Sequence, residues 1–218
     1  MKKFLVLGVL FFLPIVAYLF FASGVNNFGK LPVLTQNVLN IDHLDTSSDS
    51  AVSFQDKISV VAFFGNDLDA LKGNTYNLDQ KILKKFYKFN DFQFVIILPE
   101  EAKTRAQDFA TDFGNVTNAS YWKFVYGTPK QVNDVFESFG TNLHLDDNLL
   151  TPYVFIIDKN VSLRGRDDDE DTGPLFGYDS RSVSELNNKM NDDVKVILAE
   201  YRLELKKYNA KRKNKNEE

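Results

Sequence analysis

Apolar positions fall into two kinds of run along this chain, and the spacing within each predicts an element. The longest run, Phe4 to Ala22 (FLVLGVLFFLPIVAYLFFA), is nineteen residues without a charge and follows Met1-Lys2-Lys3. A helix of that length reaches about 28 Å, close to the roughly 30 Å hydrocarbon layer of a bilayer. The run ends in bulky residues, Leu19-Phe20-Phe21, where a cleaved leader ends in small ones. Residues 1–23 therefore read as a membrane anchor or uncleaved signal. Lys2 and Lys3 are expected to stay cytoplasmic. The expectation is a single-pass membrane protein with an exported domain, periplasmic in a Gram-negative cell. The Lys- and Asn-rich style reads as bacterial. Residues 24–32, with Gly24, Gly29 and Pro32, read as a linker.

Beyond it the runs are shorter and change period. Ile58–Phe64 (ISVVAFF) and Phe92–Leu98 (FQFVIIL) are nearly continuous, β-branched and aromatic, which predicts strands buried on both faces. Between them, residues 75–89 place Leu78, Ile82, Leu83, Phe86 and Phe89 at helical spacing. Residues 100–113 predict a second helix, 121–125 a third strand, and Thr128-Pro129 the capped start of a third helix closed by Gly140. Tyr153–Asp158 is the next strand, and Asp158-Lys159-Asn160 turns it into an antiparallel partner over Val161–Gly165. A long helix over 181–209 carries Val183, Leu186, Met190, Val194, Ile197, Tyr201 and Leu205 on one stripe. The order β-α-β-α-β-α-β-β predicts an α/β domain over 33–200, a three-layer sandwich of parallel strands with an antiparallel edge. Residues 201–218 are the helix end and a charged tail. The distal stripe of the last helix is a candidate homodimer seam.

Composition narrows the chemistry. The 218 residues include no Cys and two His, His43 and His144. Disulfides, thiolate metal sites and cysteine nucleophiles are thereby excluded. A formal charge of −4 argues against a nucleic-acid partner. Nucleotide-binding glycine loops, a G-x-S-x-G elbow and H-E-x-x-H are all missing.

Several stretches carry a family resemblance. Val60–Gly65, then Tyr121–Thr128 (YWKFVYGT) with Gln131-Val132, and Phe155–Asn160 with Leu163-Arg164-Gly165 together resemble the Sco/SenC branch of the thioredoxin-like superfamily. Those proteins are membrane-tethered and implicated in copper delivery to cytochrome oxidase. The resemblance implies a thioredoxin-like three-layer sandwich with a late β-hairpin and a long C-terminal helix, preceded by one transmembrane helix. It also implies a C-x-x-x-C pair and a histidine as copper ligands. In register these positions fall near Asp69, Gly73 and Leu150, so the chain is a degenerate member without any of the three. Thiol–disulfide exchange needs a thiolate and does not carry over. Thr151-Pro152 resembles the family's cis-proline loop, which would set Pro152 facing the loop at 66–74.

Two acidic groups are the site candidates. Asp67 and Asp69 lie in the loop after the first strand, at the carboxyl end where α/β sheets place ligands. They suit a cation, an acid–base pair or simple helix capping. The run Asp167–Asp171 offers oxygen ligands for a hard cation, without the spacing of an EF-hand. It alternatively is a solvated charge run, meets a basic partner, or is neutralised by Arg164 and Arg166. The expected function is a non-catalytic, tethered, exported thioredoxin-like domain that binds or assembles an unknown protein partner, in respiratory-complex maturation. One alternative is a metal chaperone with non-thiolate ligands drawn from Asp67, Asp69, His144, Asp167 and Asp169. The other is an enzyme of hydrolytic class. No cofactor is expected.

Overall fold

A computed structural model describes residues 2–22, 29–48, 51–114 and 121–215. After helix α1 (Lys2–Ala22) come β1 (Val33–Thr35), β2 (Asp45–Thr46) and β3 (Ile58–Phe64). A helical stretch follows, with α2 (Lys72–Leu78), a π-helical turn (Asp79–Leu83) and α3 (Lys84–Phe86). Then come β4 (Phe92–Pro99), α4 (Lys103–Gly114), β5 (Trp122–Gly127), α5 (Pro129–Ser138), β6 (Leu150–Ile157) and β7 (Leu163–Arg164). The chain closes with β8 (Arg166–Asp169), β9 (Gly173–Leu175), β10 (Tyr178–Asp179), α6 (Val183–Glu185), a second π-helical turn (Leu186–Met190) and α7 (Asn191–Lys215). Most of the expected linker, 24–28, lies outside the described residues.

The main sheet runs β1-β7-β6-β3-β4-β5-β2, with β10 paired to β6. Strands β3, β4 and β5 are parallel, and residue alternation splits their side chains between two cores. Val60, Ala62, Phe64, Phe94 and Ile96 meet α2, α3, α4 and α7 on one face. Val61, Phe63, Val95 and Ile97 meet α5 and the 38–54 segment on the other. The three-layer α/β architecture expected from the pattern is therefore present. On the second face the rings of Phe63 and Phe136 stand edge to face, with centroids 5.2 Å apart and planes at 87°. Such pairs add about 0.5–1.5 kcal/mol beyond their buried area. The Thr128 cap is also as expected: its hydroxyl accepts from Gln131 N at 3.3 Å, and Gln131 Oε1 accepts from Thr128 N at 2.8 Å.

Two expectations need correction. The first is the anchor. Among the described residues, no helix is long and apolar enough to cross a membrane. Described apolar side chains of α1, Phe11 and Tyr18 among them, are exposed. The transmembrane helix, the membrane as partner, the signal-anchor topology and the single-pass localisation built on them are therefore not supported. The second is strand direction: β6 is antiparallel to β3, and so is not a further parallel strand. Helix α5 returns the chain to the amino end of the strands, and residues 140–149 carry it back before β6 begins. The homodimer seam is left untested: Val194 and Ile197 pack in the domain's own core, Leu205 is exposed, and the side chain of Tyr208 lies outside the described residues.

Candidate functional site

The site begins at the carboxyl end of β3. Gly65 takes φ +56°, and a Cβ there would lie 2.2 Å from the Asn148 carbonyl oxygen. Only glycine brings the two loops this close. Asn66 N then donates to that same carbonyl at 3.0 Å. The opposite loop is stiffened by Asp146, whose Oδ1 accepts from Asn148 N and Leu150 N, both at 2.9 Å. Leu149 sits there at φ 62°.

From this anchor the chain turns outward to Asp67, whose Oδ1 accepts from Ala70 N at 3.2 Å and so starts the next helical turn. Asp69 pairs with Lys72 at 2.7 Å. The Asp69 carboxylate beside Lys72 holds its ammonium above the ordinary lysine range. Helix α4 supplies the other wall, and Arg105 Nη2 donates to Asn66 Oδ1 at 3.1 Å. The result is a cleft of about 260 Å³ lined by Asp67, Asp69, Asp108, Asp112, Lys72 and Arg105, with Phe109 also in its lining. Asp108 and Asp112 make no hydrogen bond or ion pair among the described residues.

Of the sequence candidates, Asp67 and Asp69 come together in this cleft. His144 is exposed and does not line it. Nor do Thr151 and Pro152. Thr151 is buried, and the Pro152 carbonyl accepts from Ser180 N at 3.0 Å and Ser180 Oγ at 2.5 Å, which fixes this loop to β10. No peptide bond among the described residues is cis, so the cis-proline implied by the resemblance is not found at Pro152. The acidic run divides. Asp167 is exposed, while Asp169 is buried against Lys189 at 2.6 Å and Arg166 at 3.4 Å. Lys189 also holds Asp171 at 2.7 Å. Arg164, expected to neutralise the run, is engaged elsewhere. Among the described residues, no group of three or more His, Asp or Glu is arranged to hold a metal ion.

Sequence reading missed the α4 wall. Arg105, Asp108 and Asp112 recur at i, i+3 and i+7, the spacing of one helix face. That charged stripe, on the helix after β4, was the available signal.

Comparison with protein-family models found no match, and comparison with curated proteins found none. Solved structures are similar in fold. A BsSco structure, described as a member of the Sco family of cytochrome c oxidase assembly proteins with a disulfide switch, superposes with a TM-score of 0.53 at 13% identity, over 76% of this chain and 94% of that one. A SCO1/SenC family lipoprotein from Bacillus anthracis str. Ames gives 0.50 at 15% identity, over 80% of this chain and 99% of that one. The fold is thus the thioredoxin-like fold of Sco-type proteins. With no cysteine in the chain, thiol–disulfide oxidoreductase chemistry is ruled out.

Proposed function

We propose that this chain is a non-redox binding domain that takes a cationic segment of a partner protein in the cleft at the carboxyl end of β3. The observation that carries this reading is the lining: four carboxylates against two cations around about 260 Å³. Both cations are already engaged, Lys72 with Asp69 and Arg105 with Asn66. Asp108 and Asp112 form no ion pair among the described residues, although Asp112 faces Lys72 from farther off, and they stand one turn apart on α4, an arrangement that costs a helix a few tenths of a kcal/mol. A lysine or arginine side chain from a partner removes that repulsion. Charge complementarity of this kind mainly governs encounter rate and choice of partner. The Sco-family protein is described as an assembly protein, and binding is the part of such a role open to a chain without thiols.

The test is fluorescence anisotropy of the full chain with a labelled arginine-rich peptide and a glutamate-rich control. The arginine peptide should bind, and binding should weaken with salt. The double variant Asp108→Lys, Asp112→Lys should weaken it by about ten-fold or more. Reversing Asp167 and Asp168, which are exposed away from the cleft, should leave affinity within about two-fold. Equal loss from both pairs would show a general charge effect and sink the reading.

A further inference from the structure

A second cavity lies at the other end of the parallel strands. It measures about 230 Å³ and sits where β4 and β5 begin, lined by Tyr87, Phe89, Tyr121, Asn90, Gln93 and Lys123 among others. Among the described residues no acidic side chain lines it. Lys123 is half-buried and makes no hydrogen bond or ion pair among the described residues. Its register explains the opening: β2 pairs with β5 only at Tyr126 and Val125, so the outer edge of β5 is uncovered by β2 at Lys123.

The nearby charges do not compensate this ammonium. Lys57 Nζ donates to the Asn90 carbonyl at 3.1 Å, which fixes a second cation beside the cavity. Burial, with Lys57 adding to it, holds Lys123 below the ordinary lysine range. Asp91, next in sequence to the lining residue Asn90, is paired with Lys159. Aromatic side chains supply part of the walls. The Tyr87 and Tyr121 rings have centroids 4.9 Å apart, and Phe89 is 48% exposed.

We propose that this cavity is a binding site for a small aromatic carboxylate, its carboxylate on Lys123 and its ring against Tyr87, Phe89 and Tyr121. An ammonium withdrawn from water gains most from a charge-assisted bond to an anion. The apolar body is set by the walls, since offset or edge contact with rings is their preferred association. Size sets the class: cavities of about 150 Å³ already accept benzene, whereas drug-sized ligands occupy about 300 Å³ or more. A single-ring acid falls between. The site shares no residue with the cleft on α4, so it stands or falls separately from the function proposed above.

The experiment is calorimetric titration of the full chain with benzoate, benzyl alcohol and benzylammonium, followed in parallel by fluorescence of Trp122. Trp122 is the chain's only tryptophan, and its ring lies 4.7 Å from that of Phe94, a lining residue. Benzoate should bind about ten-fold or more tighter than benzyl alcohol, and benzylammonium weakest. Lys123→Met should erase the preference for benzoate, and Lys123→Arg should keep most of it. Tyr121→Ala should weaken benzoate and benzyl alcohol alike. The proposal is overturned if benzoate and benzyl alcohol bind equally, if neither binds at millimolar concentration, or if Lys123→Met binds benzoate unchanged.

Discussion

Arg164 Nη2 stands 3.0 and 2.8 Å from the two carboxylate oxygens of Glu200, and both side chains are buried. The same guanidinium reaches Asp158 at 2.9 Å through Nη1 and the Leu31 carbonyl at 2.9 Å through Nε. Leu31 N in turn donates to Glu200 Oε1 at 2.7 Å. One cation thus joins the start of the domain, the end of β6 and the middle of α7. Burial opposes its charge, but the hydrogen bonds it donates to Glu200 and Asp158 outweigh this and hold Arg164 above the ordinary arginine range.

Arg164→Met should therefore be severe. It removes the cation and leaves two buried carboxylates facing each other. Breaking a buried pair from one side typically costs about 3–5 kcal/mol. Glu200→Gln keeps one acceptor and leaves the Asp158 pair intact, so its cost should be about half as large or less. Urea unfolding at pH 7 separates the two. A loss below about 1 kcal/mol for Arg164→Met would show that the cluster relaxes or floods with water.

Asp79 presents the opposite case. It is 0% exposed, sits in the first π-helical turn, and its Oδ1 has no hydrogen-bond partner. Gln80 donates to Oδ2 at 3.0 Å, and Lys84 is 4.0 Å away. Burial raises the Asp79 carboxyl above the ordinary aspartate value of 3.8, and Lys84 and Gln80 offset this only in part. A raised folded-state value means that the folded chain holds the proton longer. Stability is then unaffected below the unfolded value, falls as pH rises toward the folded value, and carries the full penalty above it. Asp79→Asn should stabilise the domain at pH 7 by about 1–3 kcal/mol and have little effect at pH 3. Denaturant midpoints at the two pH values measure this. A variant destabilised at pH 7 would mean that the carboxylate has a partner worth keeping.

Lys189 and Asp169 give the reverse sign. Burial works against the Asp169 carboxylate, but Lys189, the Asp171 backbone N–H and Arg166 together hold it below 3.8. Its contribution is present above the unfolded value and is lost as pH falls through the folded one. Lys189→Met should cost about 1–3 kcal/mol at pH 7, and the difference from the parent chain should shrink toward pH 2. The same pairing bears on calcium. Asp169 and Asp171 are both committed to Lys189, so millimolar calcium should leave the thermal midpoint of the parent chain unchanged. A calcium-dependent rise would show that Asp169 and Asp171 are released from Lys189 to the ion.

Much of this was legible because the main strands and helices obey simple periods. Continuous apolar runs marked β3 and β4, and their carboxyl ends directed attention to Asp67 and Asp69. What was illegible has physical reasons. A π-helical turn adds one residue without changing composition, so the turns at Asp79–Leu83 and Leu186–Met190 leave no trace in a helical stripe. Asp79 is not on the apolar stripe predicted for residues 75–89, and nothing local announces a buried acid. The acidic run reads as solvated loop, yet Arg166–Asp169 and Gly173–Leu175 pair as a hairpin once Lys189, twenty residues beyond Asp169, neutralises it. The cleft needed α4 laid beside the β3 loop, and no spacing in one element encodes a neighbour in another.

Gly65 is where fold and cleft meet most directly. Its φ of +56° is disfavoured for other residues by about 1–2 kcal/mol, and any Cβ would collide with backbone at Asn148 O and Leu149 C, where no side chain is free to swing away. Gly65→Ala must therefore part the two loops. The hydrogen bond from Asn66 N to Asn148 O should break first, and Asn66 is also the residue that holds Arg105. We expect a destabilisation of about 2–4 kcal/mol by urea unfolding at pH 7, the sum of conformational strain and crowding. We also expect weaker binding of the arginine-rich peptide beyond that from Gly73→Ala. Gly73 lies in the same helical stretch, with open space where its Cβ would stand, so this second variant controls for a general loss of glycine. If Gly65→Ala unfolds like the parent and binds equally well, the close approach of the two loops does not hold the cleft in shape.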